Sequence, residues 1–409
     1  MRVSTMAEEL HGSAILKVAA EIRELVAAGR DICNLTVGDF APAQFPVPKL
    51  FADATAHALT HGETNYPPAP GLPELRAEVA KFYRDRLGLN FEPSQVLITA
   101  GARPSIYCAF RVLLDKGDRV AIPVPCWNMD HYAFMTGAEP IIVECDATSS
   151  FLPTRSVLEA AVRGARLLTL NSPLNPSGTA FDANTLRDIC QLVIEENKRR
   201  GSNERPLYLL YDQIYWLLTF HNIKHVDPIT LCPEIAPYTI LIDGMSKHFA
   251  ATGMRVGWAV GPEDIIAKMS DLNGHIGAWA PRAEQIGAIA LLRAPDQIDA
   301  FHKEMIPDLQ ERLDALYDGL CSMKDQGLPV DVFPAMGAIY LSARFALPDK
   351  TNEEIRSYLL HEAGFAMVPF QAFGVAHDTG WFRLSAGAVS LEQIRKVLPR
   401  LQVAVERAL

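Results

Sequence analysis

The sequence lacks several features that mark whole classes of protein. In its 409 residues, no apolar run approaches the roughly 20 residues that a membrane-spanning helix requires. The stretch from Met1 to Gly12 contains no apolar segment of the kind found in signal peptides. We therefore expect a cytoplasmic protein with no membrane partner.

Closely spaced cysteines and an excess of basic residues are also missing. The seven cysteines never form a C-x-x-C pair, and metal sites and disulfide frameworks normally require such spacing, so we predict neither. Lysine and arginine number 38 against 48 aspartates and glutamates, a net charge of −10. A nucleic-acid partner requires a basic surface, so small molecules are the expected ligands.

Core-forming residues, in contrast, are abundant. Hydrophobic residues make up 49% of the chain, and its length exceeds the roughly 250–300 residues that one core usually serves. Short apolar runs alternate with helical patterns in the middle of the chain, which predicts an α/β fold with a mostly parallel, doubly wound sheet. The predicted strands are 96–100, 120–124, 141–145, 167–170, 207–210, 239–242 and 256–260.

The pattern changes after Pro295. A long helical stretch precedes three short strands (338–342, 365–369 and 382–384) and a final amphipathic helix from Leu391, which is typical of a smaller α+β domain. The first 50 residues lack βα alternation and are expected to pack with this part. We predict a large domain, 51–295, and a small domain made of 1–50 and 296–409.

Ligands of doubly wound sheets bind beyond the carboxyl ends of the strands, and polar residues follow several of the predicted strands. Asn175, Asp212 and Tyr215 each stand just after one, and Lys247 follows another, with Arg255 eight residues further on. A lone lysine of this kind is usually a solvated loop residue. Several polar groups at neighbouring strand exits are hard to explain by packing alone.

In their order along the chain, these segments resemble the class I/II aminotransferases, which are pyridoxal-phosphate enzymes of fold type I. The resemblance depends on Asn-Pro-x-Gly at 175–178, Tyr-Asp-x-Ile-Tyr at 211–215, Ser-Lys at 246–247 and Phe-Arg-Leu-Ser at 382–385. It covers nearly the whole chain and implies an enzyme that moves an amino group from an amino acid to a 2-oxo acid. It also implies cis peptide bonds before Pro125 and Pro176.

The resemblance implies a role for each residue near the cofactor ring. Lys247 would form a Schiff base with the cofactor aldehyde and, once released, would move a proton during the reaction. Asp212 would face the pyridine nitrogen and keep it protonated. Tyr215 and Asn175 would hydrogen-bond the phenolic oxygen of the ring, and Trp127 would stack on its face.

The cofactor phosphate would lie at a helix N-terminus. Gly101-Ala102-Arg103 opens a helix directly after a strand, an arrangement that binds anions, and Arg255 would add a guanidinium. Many relatives carry serine or threonine three residues before the lysine, where this chain has Gly244. Ser246 is the remaining hydroxyl candidate on this segment.

Arg383 is a single charge inside an apolar run, and burial of such a charge is costly unless it is paired or binds an anion. The resemblance assigns it the substrate α-carboxylate, assisted by the backbone N–H of Gly38 and by Asn175. Tyr66 matches a family tyrosine that reaches the phosphate in the neighbouring subunit, which implies a homodimer.

The substrate side chain is less well indicated. Dicarboxylate-specific relatives use an arginine from about 274–279 of the partner chain, and this stretch has none, although it contains His275 and Trp279. A dedicated aspartate enzyme is therefore disfavoured. Arg103, His248 and the pair 131–132 are further candidates for the entrance.

Two alternatives to transamination remain open. An elimination or cyclisation enzyme would use the same deprotonation at Cα, and the sequence does not separate it from an aminotransferase. A cofactor-binding regulatory domain is the other alternative, but the complete set of Lys247, Asp212 and Tyr215 argues against it.

Overall fold

The computed structural model describes residues 3–10, 12 and 14–409, and their side chains except those of 14–17. Residues 1, 2, 11 and 13 belong to the predicted segments Met1–Gly12 and 1–50, and they lie outside the described residues.

Strands and helices alternate through the first two thirds of the chain. The strands are β1 (Cys33–Asn34), β2 (Val96–Thr99), β3 (Arg119–Val124), β4 (Glu139–Glu144), β5 (Leu167–Asn171), β6 (Tyr208–Asp212), β7 (Thr239–Gly244), β8 (Gly257–Val260), β9 (Val330–Phe333), β10 (Tyr340–Phe345), β11 (Phe365–Ala366), β12 (Val368–Pro369) and β13 (Trp381–Ser385). The α-helices are α1 (Thr5–Glu9), α2 (Ala14–Ala27), α3 (Lys49–Thr60), α4 (Pro73–Leu87), α5 (Ala102–Leu113), α6 (Met129–Thr136), α7 (Arg155–Gly164), α8 (Ala183–Arg200), α9 (Pro228–Leu231), α10 (Met245–His248), α11 (Glu263–Ile276), α12 (Arg282–Leu292), α13 (Pro295–Asp325), α14 (Asn352–Ala363) and α15 (Leu391–Arg407).

The central sheet has seven strands in the order β2-β8-β7-β6-β5-β3-β4. All neighbours are parallel except β8, which runs antiparallel to both β2 and β7. Every residue of β5, β6 and β7 is buried, as expected for strands covered by helices on both faces. The predicted mostly parallel sheet is therefore confirmed, and its strand ends shift by only a few residues.

Successive side chains of these strands enter two different cores. Leu209 and Leu241 pack in a cluster with α4, α7, α8 and α12, whereas Leu210 and Ile242 pack on the other face with α5, α6 and α11. This period of two is what a strand buried on both faces requires. It explains why the strands are nearly uninterrupted apolar runs in the sequence.

A second, four-stranded antiparallel sheet has the order β12-β13-β10-β9. It shares a third hydrophobic cluster with α13, α14 and α15. Strand β1 pairs in parallel with β11, so that Cys33 lies opposite Phe365. The segment around residue 33 therefore packs against the C-terminal part of the chain.

Two of the predicted C-terminal strands have different bounds in the structure. The predicted strand 338–342 begins only at Tyr340, because Ala338 adopts a left-handed conformation with φ 63°. The predicted strand 365–369 divides into β11 and β12, which join different sheets. The first of these differences matters for the site, because it places Tyr340 at the start of β10.

No helix in the described part of the chain is both long and apolar enough to cross a membrane.

Candidate functional site

A cavity of about 650 Å³ lies where β5, β6 and β7 end. The strands are in register there, because Asn171 lies opposite Asp212 and Asp212 lies opposite Ile242. All of the predicted site residues except Gly101 and Tyr66 line this cavity: Gly38, Ala102, Arg103, Trp127, Asn175, Asp212, Tyr215, Ser246, Lys247, Arg255 and Arg383.

Lys247 lies on the one-turn helix α10, which follows β7 directly. Its Nζ donates a hydrogen bond of 2.6 Å to the carbonyl oxygen of Gly38 and lies 6.0 Å from the ring centroid of Tyr215. Burial lowers the pKa of this amine to about 8, the Asp39 carboxylate opposes the shift, and the positive charge of Arg383 adds to it. At pH 7 the amine is therefore mostly protonated, with roughly a tenth of it in the neutral form.

Asp212 ends strand β6 and is 6% exposed. Its Oδ1 accepts one hydrogen bond, of 3.1 Å, from the backbone N–H of Ile214. Burial raises the pKa of this carboxyl to about 7, and the charge of Asp243 acts in the same direction. A positively charged donor in the cavity would keep this group ionised.

Arg383 is the most unusual charge in the site, because only 1% of it is exposed. Its Nη2 donates to the carbonyl of Thr36 (2.7 Å) and its Nη1 to Oδ1 of Asn175 (3.1 Å). The rings of Tyr340 and Phe373 lie 4.6 and 4.9 Å from Cζ. Nε has no partner, and no carboxylate of the described residues forms an ion pair with this guanidinium. A buried cation with only neutral acceptors is suited to bind an anion.

Three glycines bring β7, β8 and the start of α5 into direct backbone contact. A Cβ on Gly257 would lie 2.5 Å from the carbonyl carbon of Gly101, and one on Gly244 would lie 2.6 Å from Cα of Gly257. A Cβ on Gly101 would overlap the guanidinium of Arg255. These contacts explain why glycine stands at 244, where serine or threonine was expected.

The same contacts place the Arg255 guanidinium beside the N-terminus of α5. Its Nη1 donates to the carbonyl of Thr252 (2.6 Å) and its Nη2 to that of Ala100 (2.8 Å). Backbone N–H groups at a helix start and an adjacent guanidinium together suit a phosphate group.

The cavity is also lined by residues that the sequence analysis did not single out, and three of them carry polar side chains that bond near the site: Tyr340, Asp39 and Thr252. The hydroxyl of Tyr340 lies 2.8 Å from that of Tyr215, and Oγ1 of Thr252 donates to Oδ1 of Asp39 (2.6 Å). Tyr340 was missed because the predicted strand 338–342 placed it inside a strand, whereas in the structure it is the first residue of β10. Asp39 follows Gly38 directly, and this adjacency was the available signal for it.

The entrance candidates His248, His131 and Tyr132 do not line the cavity. His248 is fully buried, because consecutive residues of a helix point to different sides and Lys247 occupies the cavity side. Tyr132 is a core residue, 7% exposed, and His131 is half-buried beside Asp130 at 3.0 Å. The prediction for these three residues was wrong.

Tyr66 lies outside the cavity of its own chain. It is 81% exposed, and its ring contacts Trp279 edge to face, with ring centroids 5.2 Å apart. A tyrosine this exposed is available to a second protein molecule.

The charges around the cavity are unbalanced in favour of cations. Lys247, Arg103, Arg255 and Arg383 line it together with only two carboxylates, those of Asp39 and Asp212. Because the whole chain carries a net charge of −10, this local positive excess stands out. It favours a ligand with several negative charges.

Within the described residues, no group of His, Cys, Asp and Glu side chains has the arrangement of a metal site. Cys126, beside Trp127, is buried, and burial raises the pKa of its thiol, so that it is a poor nucleophile. The peptide bonds before Pro125, Pro173 and Pro176 are cis, the first and the last as expected.

The chain matches the family model for aminotransferase class I and II over residues 30–401. An aspartate aminotransferase from Geobacillus stearothermophilus is 32% identical over 413 residues, which cover 99% of each chain. One from Pyrococcus horikoshii is 30% identical over 94% of each chain. Among solved structures, an aspartate aminotransferase from Rhizobium meliloti superposes with a TM-score of 0.90 at 28% identity, over 100% of this chain and 99% of that one.

Proposed function

Because the chain belongs to the class I and II aminotransferases, and is therefore a pyridoxal-phosphate-dependent aminotransferase, we propose that Lys247, Asp212 and Arg383 carry its reaction. The observation that supports this most is that a half-buried amine, a buried carboxylate and a guanidinium with no carboxylate partner among the described residues meet in one cavity. Bound pyridoxal phosphate supplies an electron sink that stabilises negative charge at the substrate Cα.

The cavity fits this cofactor at both of its charged ends. The N-terminal amides of Gly101, Ala102 and Arg103, with Arg255 and Ser246, are our candidates for the phosphate. At the other end, the buried Asp212 carboxyl, with a pKa of about 7, is suited to a protonated ring nitrogen. A cation opposite Asp212 would stabilise its ionised form, and the ionised form would in turn hold the proton on that nitrogen.

Three side chains would orient the ring between these ends. Tyr215 and Asn175 offer a hydroxyl and an amide to its phenolic oxygen. Trp127 lines the same cavity and would supply the stacking face. Its ring centroid lies 6.4 Å from that of Phe373.

Lys247 has the properties of a proton carrier. With a pKa of about 8, its amine can accept a proton and return it near neutral pH, and its flexible stem lets Nζ reach adjacent atoms. Arg383 would hold the substrate α-carboxylate through its two-pronged guanidinium, which fixes the position of Cα relative to the amine. Asn175 and the backbone of Gly38 would complete this carboxylate site.

We propose that the substrates are acidic, of the aspartate and glutamate type, with 2-oxo acids as their partners. The relatives above are named aspartate aminotransferases, and the expectation against such a substrate depended only on residues 274–279. Arg103 gives the cavity a further cation from this chain itself. Its guanidinium lies 5.2 Å from the ring centroid of Trp127, and no described carboxylate pairs with it. It would therefore be able to receive a side-chain carboxylate, while the backbone N–H of Arg103 would serve the phosphate.

A panel of amino acids with 2-oxoglutarate, read by mass spectrometry, tests this proposal. We expect glutamate to form fastest from aspartate. Arg103→Leu should lower kcat/KM for aspartate by about tenfold or more and change that for alanine little. Arg111→Leu, an exposed position on the same helix, should change neither. Ammonia release without an oxo-acid requirement would instead support the elimination alternative.

Lys247→Ala tests the central residue. We expect this variant to lose turnover and the visible absorbance of the bound cofactor. An unchanged visible spectrum in a folded variant would remove Lys247 from its proposed role.

The remaining proposals concern organisation. We propose a homodimer in which the exposed Tyr66 of one subunit reaches the site of the other. We also propose a large domain of residues 51–295 and a small domain of 1–50 and 296–409, a division supported by the end of α12 at Leu292 and the start of α13 at Pro295. Cytoplasmic localisation is supported by the absence of disulfides, since all seven cysteines are free.

A further inference from the structure

Asp243 is a fully buried carboxylate that does not line the cavity. Its Oδ2 accepts hydrogen bonds from the hydroxyl of Tyr83 (3.0 Å) and from Nε1 of Trp216 (2.8 Å). Its Oδ1 accepts from the backbone N–H of Gly244 (2.7 Å) and from Nε2 of His248 (2.6 Å). Four donors thus use the full acceptor capacity of one carboxylate.

His248 links this carboxylate to Lys247. The two residues are neighbours on the four-residue helix α10, and such a short helix has no stability of its own. Its orientation must therefore come from contacts made by its side chains. Because Nε2 of His248 faces a carboxylate and Nδ1 has no partner among the described residues, we assign the proton to Nε2.

The other donors belong to the segment that carries Asp212 and Tyr215. Trp216 directly follows this segment and donates to Asp243, while Nε2 of Gln213 lies 3.5 Å from the hydroxyl of Tyr83. The Tyr83 hydroxyl also accepts from Nε1 of Trp258 (3.0 Å), on strand β8. Asp243 therefore accepts hydrogen bonds from both segments: the one that supplies the amine of Lys247 and the one that supplies the carboxylate of Asp212.

The remaining polar neighbours are neutral. His302, from α13, contacts the carbonyl of His248 through Nε2 at 2.8 Å, and burial lowers its pKa to about 4. His225 contacts Oε1 of Gln213 at 3.3 Å, and burial lowers its pKa to about 3. Neither imidazole is charged near neutral pH.

We propose that Asp243 and His248 are positioning residues that hold the Lys247 amine in register with Asp212. This goes beyond the proposed function and rests on the role given there to Lys247. Asp243 fixes the end of β7 through Gly244, the direction of α10 through His248, and the exit of β6 through Trp216. Loss of this acceptor should leave Arg383 in place and misdirect the lysine.

Asp243→Asn is the first test. The NH₂ group of the new amide takes the place of either Oδ2 or Oδ1. In the first case it faces Nε1 of Trp216, in the second the N–H of Gly244, and both of these groups can only donate. We expect kcat to fall by about tenfold or more while KM for the amino acid stays within about threefold, because misplacement of a reacting group lowers the rate rather than binding. A second measurement uses the cofactor-free full-length protein. Acetic anhydride modifies Lys247, and peptide mass spectrometry measures the rate. We expect this rate to change by about threefold or more.

Asp227→Asn is the matched control. Asp227 is also a buried aspartate, 3% exposed, and its carboxylate caps α9 through the N–H of Thr230 at 2.8 Å. Because asparagine caps a helix about as well as aspartate does, this variant should keep normal kcat and normal Lys247 acetylation. A decrease in kcat as large as that of Asp243→Asn would overturn the proposal.

Variants of His248 provide a second route if Asp243→Asn does not fold. The amide nitrogen of glutamine can replace Nε2 as donor, so His248→Gln should keep nearly normal kcat and Lys247 acetylation. His248→Ala should behave as expected for Asp243→Asn.

Equal behaviour of these two His248 variants would contradict the inference, as would normal kcat and normal acetylation in Asp243→Asn. Failure of the proposed function would give a different result. In that case the Lys247→Ala variant would retain turnover and the visible absorbance band, independently of the results for the Asp243 and His248 variants.

Discussion

Arg383 shows at the scale of one residue how burial can leave a charge that is suited to an anionic ligand. A guanidinium that is 1% exposed and hydrogen-bonded only to a carbonyl and an amide carries an uncompensated positive charge. The faces of the Tyr340 and Phe373 rings, whose centroids lie 4.6 and 4.9 Å from Cζ, stabilise this charge.

Arg383→Lys tests the proposed carboxylate site. Lysine keeps the charge but cannot make the two parallel hydrogen bonds of a guanidinium, so KM for the amino acid should rise roughly 100-fold. Cofactor binding should remain normal. Steady-state kinetics would check this, with Arg344→Lys as the control, because Arg344 lies on β10 with 43% of its side chain exposed. An unaltered KM would remove Arg383 from its role.

Asp212 gives a prediction for stability. Burial raises its pKa from 3.8 to about 7 in the folded protein, so the folded state binds more protons than the unfolded state between these values. Stability is therefore lost as the pH rises through this window. In the cofactor-free protein, Asp212→Asn should raise the melting temperature by a few degrees at pH 8 and by less at pH 5.5.

Differential scanning fluorimetry at both pH values would measure this difference. The same variant should lose activity, since a neutral amide cannot hold a proton on the ring nitrogen. A variant that melts below the wild type at pH 8 would show that Asp212 is not destabilising there.

Between elements, the contact of β7, β8 and α5 depends on glycine. Gly257→Ala would bring a methyl group within 2.6 Å of the Ala102 nitrogen and would push the start of α5 away from the strand. We expect the affinity for pyridoxal phosphate to fall by about tenfold or more, measured by absorbance titration. Gly274→Ala, which would make only an ordinary 3.4 Å contact with Ala69, should bind normally.

Elements buried on two faces were the easiest to predict. The strands β5, β6 and β7 are continuous apolar runs that end in polar residues, so both their existence and their exits were visible in the sequence. The start of β10 and the division of 365–369 were not visible. They depend on the left-handed Ala338 and on which sheet each short strand joins, and neither leaves a pattern in the local sequence.

At the scale of the whole molecule, the proposed dimer makes a quantitative prediction. If Tyr66 acts across the interface, a hybrid of a Lys247→Ala subunit and a Tyr66→Ala subunit contains one site with both residues intact. Mixing the two weakly active homodimers under conditions of subunit exchange should restore about a quarter of wild-type turnover, because half of the dimers are then hybrids with one good site. Absence of any recovery, with hybrids shown by native mass spectrometry, would place Tyr66 outside the neighbouring site.

The sequence by itself determined the layered fold and most of the cavity. Buried strands require apolar runs, and the residues of Asn-Pro-x-Gly, Tyr-Asp-x-Ile-Tyr and Ser-Lys stand next to those runs, so local pattern was sufficient to find them. Only the tertiary structure decided that Tyr340 meets Tyr215, that His248 turns away from the cavity, and that Asp243 joins the segments of Lys247 and Asp212. The physical reason is that each of these outcomes depends on partners distant in sequence, such as Tyr83 and Trp216 around Asp243, and burial between such partners is not encoded in any one stretch of the chain.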